Sequence, residues 1–187
     1  MHVTAIGRTR ILYNAIRAVA DAGHTIERIV TGSDSDFYDI TPADFRKLAD
    51  ELGADFMMPD DINDDTAVST FRQSDSQIAI SVNWQTLIRR PVLDAFKYGV
   101  INAHAGDLPR YRGNAAPNWA IINNEDEVVL TIHRMSEDLD AGPIHAQHSV
   151  PLDEETYIGD VYDAMYERFP KLFVTVVADA ATDSLTP

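Results

Sequence analysis

Asn102 and His104 stand two residues apart in the segment Asn-Ala-His-Ala-Gly-Asp-Leu-Pro-Arg-Tyr-Arg-Gly, which spans Asn102 to Gly113. The apolar residues before them, Val100 and Ile101, read as a short strand. Strand geometry alternates faces, so residues two apart share one. A primary amide and an imidazole on one face form a donor for an oxyanion and a group able to move a proton. A polar strand end that closes its own hydrogen bonds accounts for the same spacing. A second segment, His133 to Ile144, carries Glu137, Asp138 and Asp140 ahead of a Gly142-Pro143 turn. Such a run is either a solvated acidic loop or the source of one inward carboxylate, to orient the histidine or take a proton. Residue type does not choose among the three.

These residues need a scaffold, and the hydrophobic pattern supplies one. His2–Ile6 and Thr25–Val30 read as strands around a helix that carries Ile11, Leu12, Ala15, Ile16, Val19 and Ala20 at helical spacing, with Gly23 as its stop. Thr41-Pro42 opens a second helix, with Thr41 as cap and Pro42 at the first helical position, and Gly53 closes it. Asp55–Met58, Gln77–Val82 and Val100–Ala103 are further strands, with helices over Thr66–Gln73 and Pro91–Tyr98. The second half gives a helix over Ala115–Asn123 and strands over Glu127–Arg134 and Pro143–Val150. Thr156–Ala180 is amphipathic, with Pro170 expected to kink or split it. Strands alternating with helices predict an α/β fold, a Rossmann-like doubly wound, mostly parallel sheet with helices on both faces, and a single domain over residues 1–187. Such sheets bind ligands beyond the carboxyl ends of their strands, which singles out the loops after Val100–Ala103 and from Ser136 to Gly142.

Composition narrows the chemistry. The 187 residues contain no cysteine, so there is no thiolate nucleophile, disulfide or thiolate metal site. The formal charge is -15, Asp far outnumbers Glu, and Lys47, Lys97 and Lys171 are the only lysines. A self-repelling acidic surface disfavours nucleic acid and anionic membrane. No apolar run is long enough to span a bilayer, and the start MHVTAIGRTR has no signal-peptide pattern, so a cytoplasmic location is expected. Adaptation to high salt and ordinary acidic drift both explain the charge. Thermal unfolding in low and in molar salt separates them: screening raises the midpoint of a chain shaped by self-repulsion and leaves a drifted one unchanged.

The segments NAHAGDLPRYRG and LDAGPI, with APNWAIINNEDEVVLTIHRM between them, resemble the folate-dependent formyltransferase family. That family carries an Asn-x-His motif, a Leu-Pro-x-Tyr-Arg-Gly loop and an Asp-x-Gly-Pro or similar turn, in this order. The resemblance is good over about residues 75–150 and extends in outline to the rest. It implies that Asn102, His104 and Asp140 are the catalytic residues and that N10-formyltetrahydrofolate is the co-substrate, with no metal. It implies a primary amine as acceptor, and a folate pocket that includes Asn83, Trp84, Asp138 and Leu139. Trp84 and Trp119 can flank a pterin or substrate ring, although core packing is the simpler role for each. Arg110, Tyr111 and Arg112 form a basic loop suited to an anionic substrate, unless Arg112 merely pairs with a neighbouring carboxylate. His133 is read as structural or as part of the same pocket, and His145 and His148 as incidental.

The resemblance also has departures. A glycine-rich phosphate turn near the N-terminus, as in the glycinamide ribonucleotide enzymes, is replaced by Gly7-Arg8-Thr9-Arg10, which leaves Arg8 and Arg10 as candidate acceptor contacts. Gly-Asp-Leu-Pro at 106–109 looks most like the nucleotide-sugar formyltransferases. A nucleotide-linked amino sugar is therefore the expected acceptor. Methionyl-tRNA is the alternative, followed by hydrolysis of the donor or simple folate binding. A homodimer is compatible with the family, and whether Pro187 is a natural end stays open.

Overall fold

The computed structural model describes residues 1–34 and 38–185, so Pro187 lies outside the described residues. Seven strands form one sheet: β1 (His2–Gly7), β2 (Thr25–Val30), β3 (Asp55–Met57), β4 (Ile78–Val82), β5 (Val100–Ala105), β6 (Glu127–Arg134) and β7 (Ile144–Pro151). Their spatial order is β3-β2-β1-β4-β5-β6-β7. The first five run parallel, while β6 and β7 are antiparallel to their neighbours. The chain starts at β1, winds outward to β3, then crosses back to β4. The switch point therefore lies between β1 and β4, as a doubly wound sheet requires.

Two apolar layers sandwich the sheet. On one face α1 (Arg10–Asp21), α2 (Pro42–Leu52) and α6 (Ile158–Ala181) pack Leu12, Ile16, Phe45, Leu48, Phe169 and Phe173 against Val3, Ile80, Ile101 and Ile132. On the other, α3 (Asp65–Arg72) and the single turn α4 (Arg90–Leu93) pack Val68, Phe71 and Val92 against Ile6, Ala79 and Val100. The remaining helix, α5 (Ala116–Ile122), joins the first layer through Ala120. Thr41 caps α2 as its sequence predicts: its side chain accepts from the Asp44 N–H, and Asp44 accepts from the Thr41 N–H at 2.8 Å.

Two elements differ from the pattern-based expectation. The helix expected over Pro91–Tyr98 stops at Leu93, because the following groups have other partners. The Ala95 N–H turns to Val92 O, and the Tyr98 N–H bonds Gln77 O at 2.9 Å, tying that segment to the foot of β4. Pro170 does not split the last helix, which runs unbroken from Ile158 to Ala181. Pro170 is buried against the core with Phe169 and Phe173, and that packing outweighs the one helical hydrogen bond a proline removes. Among the described residues no helix is long and apolar enough to cross a membrane.

Candidate active site

Period-two alternation in β5 sets up the site. Ile101, Ala103 and Ala105 face the first layer, so Val100, Asn102 and His104 face the second. Val100 is covered by the α3–α4 core, but that core ends there. Asn102 and His104 emerge where no helix covers this face, and loops 106–115 and 135–142 fill the space. Neighbouring β6 presents Thr131 and His133 to the same face, with His133 paired in register to Asn102.

Asp140 comes from the second of these loops. Its backbone sits in the left-handed region, φ 48°, a conformation aspartate tolerates better than most residues. The carboxylate then lies between two histidines: Oδ2 is 3.6 Å from His104 Nδ1 and Oδ1 is 3.6 Å from His133 Nε2. The Gly113 N–H donates to Oδ2 at 2.9 Å, joining the two loops. Burial pushes the Asp140 carboxyl up. The His133 and Gly113 hydrogen bonds and the charges of both histidines outweigh it and hold the group below the usual carboxylate range. A depressed value stabilises the fold above the unfolded-state value of about 3.9 and is lost as pH falls through the folded value. Asp140→Asn keeps the shape without the charge. Its melting-temperature deficit against wild type should be constant above about pH 5 and shrink below about pH 4; a deficit independent of pH would remove the charge from this account.

His133 is 1% exposed and orients the pair. Its Nδ1 donates to the Arg134 carbonyl at 3.2 Å, and its Nε2 faces both the Asn102 amide, at 3.3 Å, and the Asp140 carboxylate, at 3.6 Å. The Asn102 amide is held there and lines the cleft, within reach of a ligand. His104 Nε2 donates to the Tyr111 carbonyl at 2.6 Å. This approach needs Gly106, because a Cβ there would meet Tyr111 O at 2.5 Å and His104 Nε2 at 2.6 Å.

Asn102, His104 and Asp140 line a cleft of about 830 Å³, in the range of small-molecule sites. The cleft lies over the carboxyl ends of β1, β4 and β5 and so has walls from both layers. Trp84, Leu87, Met135 and Leu139 form the wall on the second layer's side, and Leu87 and Leu139 are exposed there. Thr9, Arg10, Tyr38, Tyr162 and Tyr166 form the opposite wall. Asn83 lies between the two and donates to Tyr38 OH at 3.1 Å.

The other residues singled out from sequence have separate places. Asp138 is outside the cleft lining, as is Arg8, whose guanidinium lies 5.2 Å from the Tyr38 ring centroid. Arg10 lines the cleft but is ion-paired to Asp39. Arg110, rather than Arg112, is the arginine with a carboxylate partner: it pairs with Glu125, whose carboxylate also accepts from Tyr111 OH at 2.8 Å. That arrangement ties the basic loop to the end of α5, away from the cleft lining. Arg112 is exposed, with no ion pair among the described residues. Trp84 packs partly against the second layer as well as lining the cleft, whereas Trp119 is 53% exposed, so its expected core role does not hold. His145 and His148 are on β7, outside the lining. Among the described residues no group of three or more His, Cys, Asp or Glu is arranged to hold a metal ion.

Sequence reasoning passed over Tyr38, Tyr162 and Tyr166. The last two were legible as a pair four apart on the helix, but a search for apolar periodicity scores tyrosine weakly.

Known proteins resemble this chain in sequence and fold. The chain is 29% identical over 190 residues to a methionyl-tRNA formyltransferase of Mesorhizobium japonicum, covering 100% of this chain and 60% of that protein. Among solved structures, a phosphoribosylglycinamide formyltransferase from Anaplasma phagocytophilum superposes with a TM-score of 0.80 at 18% identity, covering 97% of this chain and 87% of that one. A sugar N-formyltransferase from a Shewanella species gives 0.75 at 21% identity, covering 100% and 72%. These two likenesses speak for the fold. The formyl transferase family model matches residues 12–177, nearly the whole chain, and the protein belongs to that family.

Proposed function

We propose that this chain carries the chemistry of an N-formyltransferase, moving the formyl group of N10-formyltetrahydrofolate to a primary amine. The supporting observation is the convergence of Asn102, His104 and Asp140 at the floor of one cleft with two chemically different walls. The apolar wall of Trp84, Leu87, Met135 and Leu139 suits a flat pterin ring, and the opposite wall is left for the amine.

In the reaction a C–N bond forms between the amine and the formyl carbon, the bond from that carbon to N10 breaks, and the proton lost by the amine passes to N10. The Asn102 amide stabilises negative charge developing on the formyl oxygen. His104 stabilises the same charge or moves the proton once its Nε2 turns from the Tyr111 carbonyl toward the cleft, and Asp140, facing its Nδ1, holds the imidazole and favours positive charge on it.

A nucleotide-linked amino sugar is our preferred acceptor. The chain carries -15, and Arg10, the one arginine among the described residues that line the cleft, is already neutralised by Asp39, a poor surface for the many phosphates of a tRNA. The 29% identity to a protein named for methionyl-tRNA supports that substrate as the second reading. The test is absorbance-detected release of tetrahydrofolate with a panel of nucleotide-linked amino sugars and with methionine-charged initiator tRNA. Sugar-dependent release supports the first reading and tRNA-dependent release the second. Formate release indifferent to any amine would make the chain a hydrolase and sink both.

A further inference from the structure

Helix α6 does more than close the core. Tyr162, Met165, Tyr166 and Phe169 recur at helical spacing and all four line the cleft. Exposure rises along this stripe toward the mouth: Phe169 is 1% exposed, Tyr166 half-buried and Tyr162 43% exposed. The stripe thus runs from the core floor to solvent as a ladder of rings. Tyr38 adds a third phenol to the same wall.

Arg10, the one arginine among the described residues that line the cleft, is neutralised, and Arg8 lies 5.2 Å from the Tyr38 ring centroid, outside the lining. Arg10 donates through Nε to the Asp39 carboxylate and through Nη2 to the Asp39 carbonyl at 3.2 Å. Burial pushes the Tyr166 phenol up, and Asp39, Tyr162 and Asp163 push it the same way against Arg10, so it stays a neutral O–H donor. Asp163 and Glu167 flank the stripe on the exposed side of α6. An aromatic wall with neutral hydroxyls and an acidic rim suits a hydroxylated ring, whose C–H face rests on an aromatic and whose hydroxyls bond phenols. The two tyrosine rings themselves offer a phosphate no cation and no backbone N–H; those lie apart from them, at Arg8 behind Tyr38 and at the start of α1.

Resting on the formyl-transfer reading above, we propose that Tyr162 and Tyr166 select the acceptor by seating the amine-bearing sugar ring itself, and that any phosphate the acceptor carries lies off these two rings. Acceptor recognition is then written mainly in the ring and only weakly in the nucleotide.

Ligand-observed NMR on the intact chain tests this without requiring turnover. The probes are nucleotide-linked 3-amino- and 4-amino-hexoses and the same amino sugars without the nucleotide; donor-side binding is followed in parallel by tryptophan quenching with 5-formyltetrahydrofolate. Tyr162→Ala should weaken sugar binding about tenfold, and Tyr166→Phe about fivefold. Donor-analogue affinity and melting temperature should stay near wild type, and the nucleotide-free sugars should show the same two losses. Where the wild type turns over a sugar, the losses should appear in its KM rather than in kcat. Unchanged sugar binding in both variants, binding abolished by removing the nucleotide, or no sugar binding to wild type would each overturn the proposal. In the last case, donor binding with formylation of charged tRNA would leave formyl transfer standing, whereas no donor binding would remove that reading as well.

Discussion

Replacing Asn102 by alanine is expected to lower kcat by about 10²–10³ and leave donor affinity nearly unchanged. The amide is held beside His133 Nε2 and lines the cleft. Truncation removes a donor aimed at charge that develops only as the formyl carbon is attacked, so the loss falls on kcat. Asn102→Asp tests the same point with nearly the same volume, since a carboxylate offers no donor and repels an oxyanion; it should be at least as damaging. His104→Ala should cost a similar factor, and the double variant less than the product of the two, because residues acting on one charge are not additive. Single-turnover rates with saturating donor and acceptor provide the measurement. A rate within about threefold of wild type for Asn102→Ala would place the oxyanion donor elsewhere.

The second large effect concerns stability. Gly7 ends β1 at φ 147°, and a Cβ there would lie 1.9 Å from the Val82 carbonyl oxygen and 3.1 Å from Leu12 Cδ2. The clash is with backbone of the paired strand β4, which cannot move without breaking the sheet at its switch point. Gly7→Ala should cost about 3 kcal/mol or more, or roughly 6–12 °C in melting temperature for a chain of this size. Gly53→Ala is the control. That residue has φ 67° with nothing within 4 Å of the added Cβ, so it pays only the conformational penalty of about 1 kcal/mol. Equal losses in the two variants would mean that β1 and β4 are free to separate.

Much of the scaffold was legible because local pattern and global fold agree. The strand Glu127–Arg134 has the bounds read from its sequence, and Asn102 and His104 share a face as period two requires. Arg110 and Tyr111 were not legible in this way. Their partner Glu125 arrives from beyond α5, and sequence spacing does not reveal which carboxylate a helix delivers. His133 shows the same limit. Its sequence left a structural role and a place in the pocket both open, and only the antiparallel register sets it beside Asn102. Pro170 and the short α4 failed for a related reason, since burial in one case and a hydrogen bond to Gln77 in the other overrode local preference.

The two walls of the cleft hang from different packing layers: α1 and α6 on one, the loops after β4 and β6 on the other. Substitutions on one wall therefore leave the core behind the other undisturbed. Selection can rewrite what a lineage modifies while the source of the transferred group stays fixed, changing a few side chains on one helix and one turn. A fold divided this way is free to diversify in a single direction.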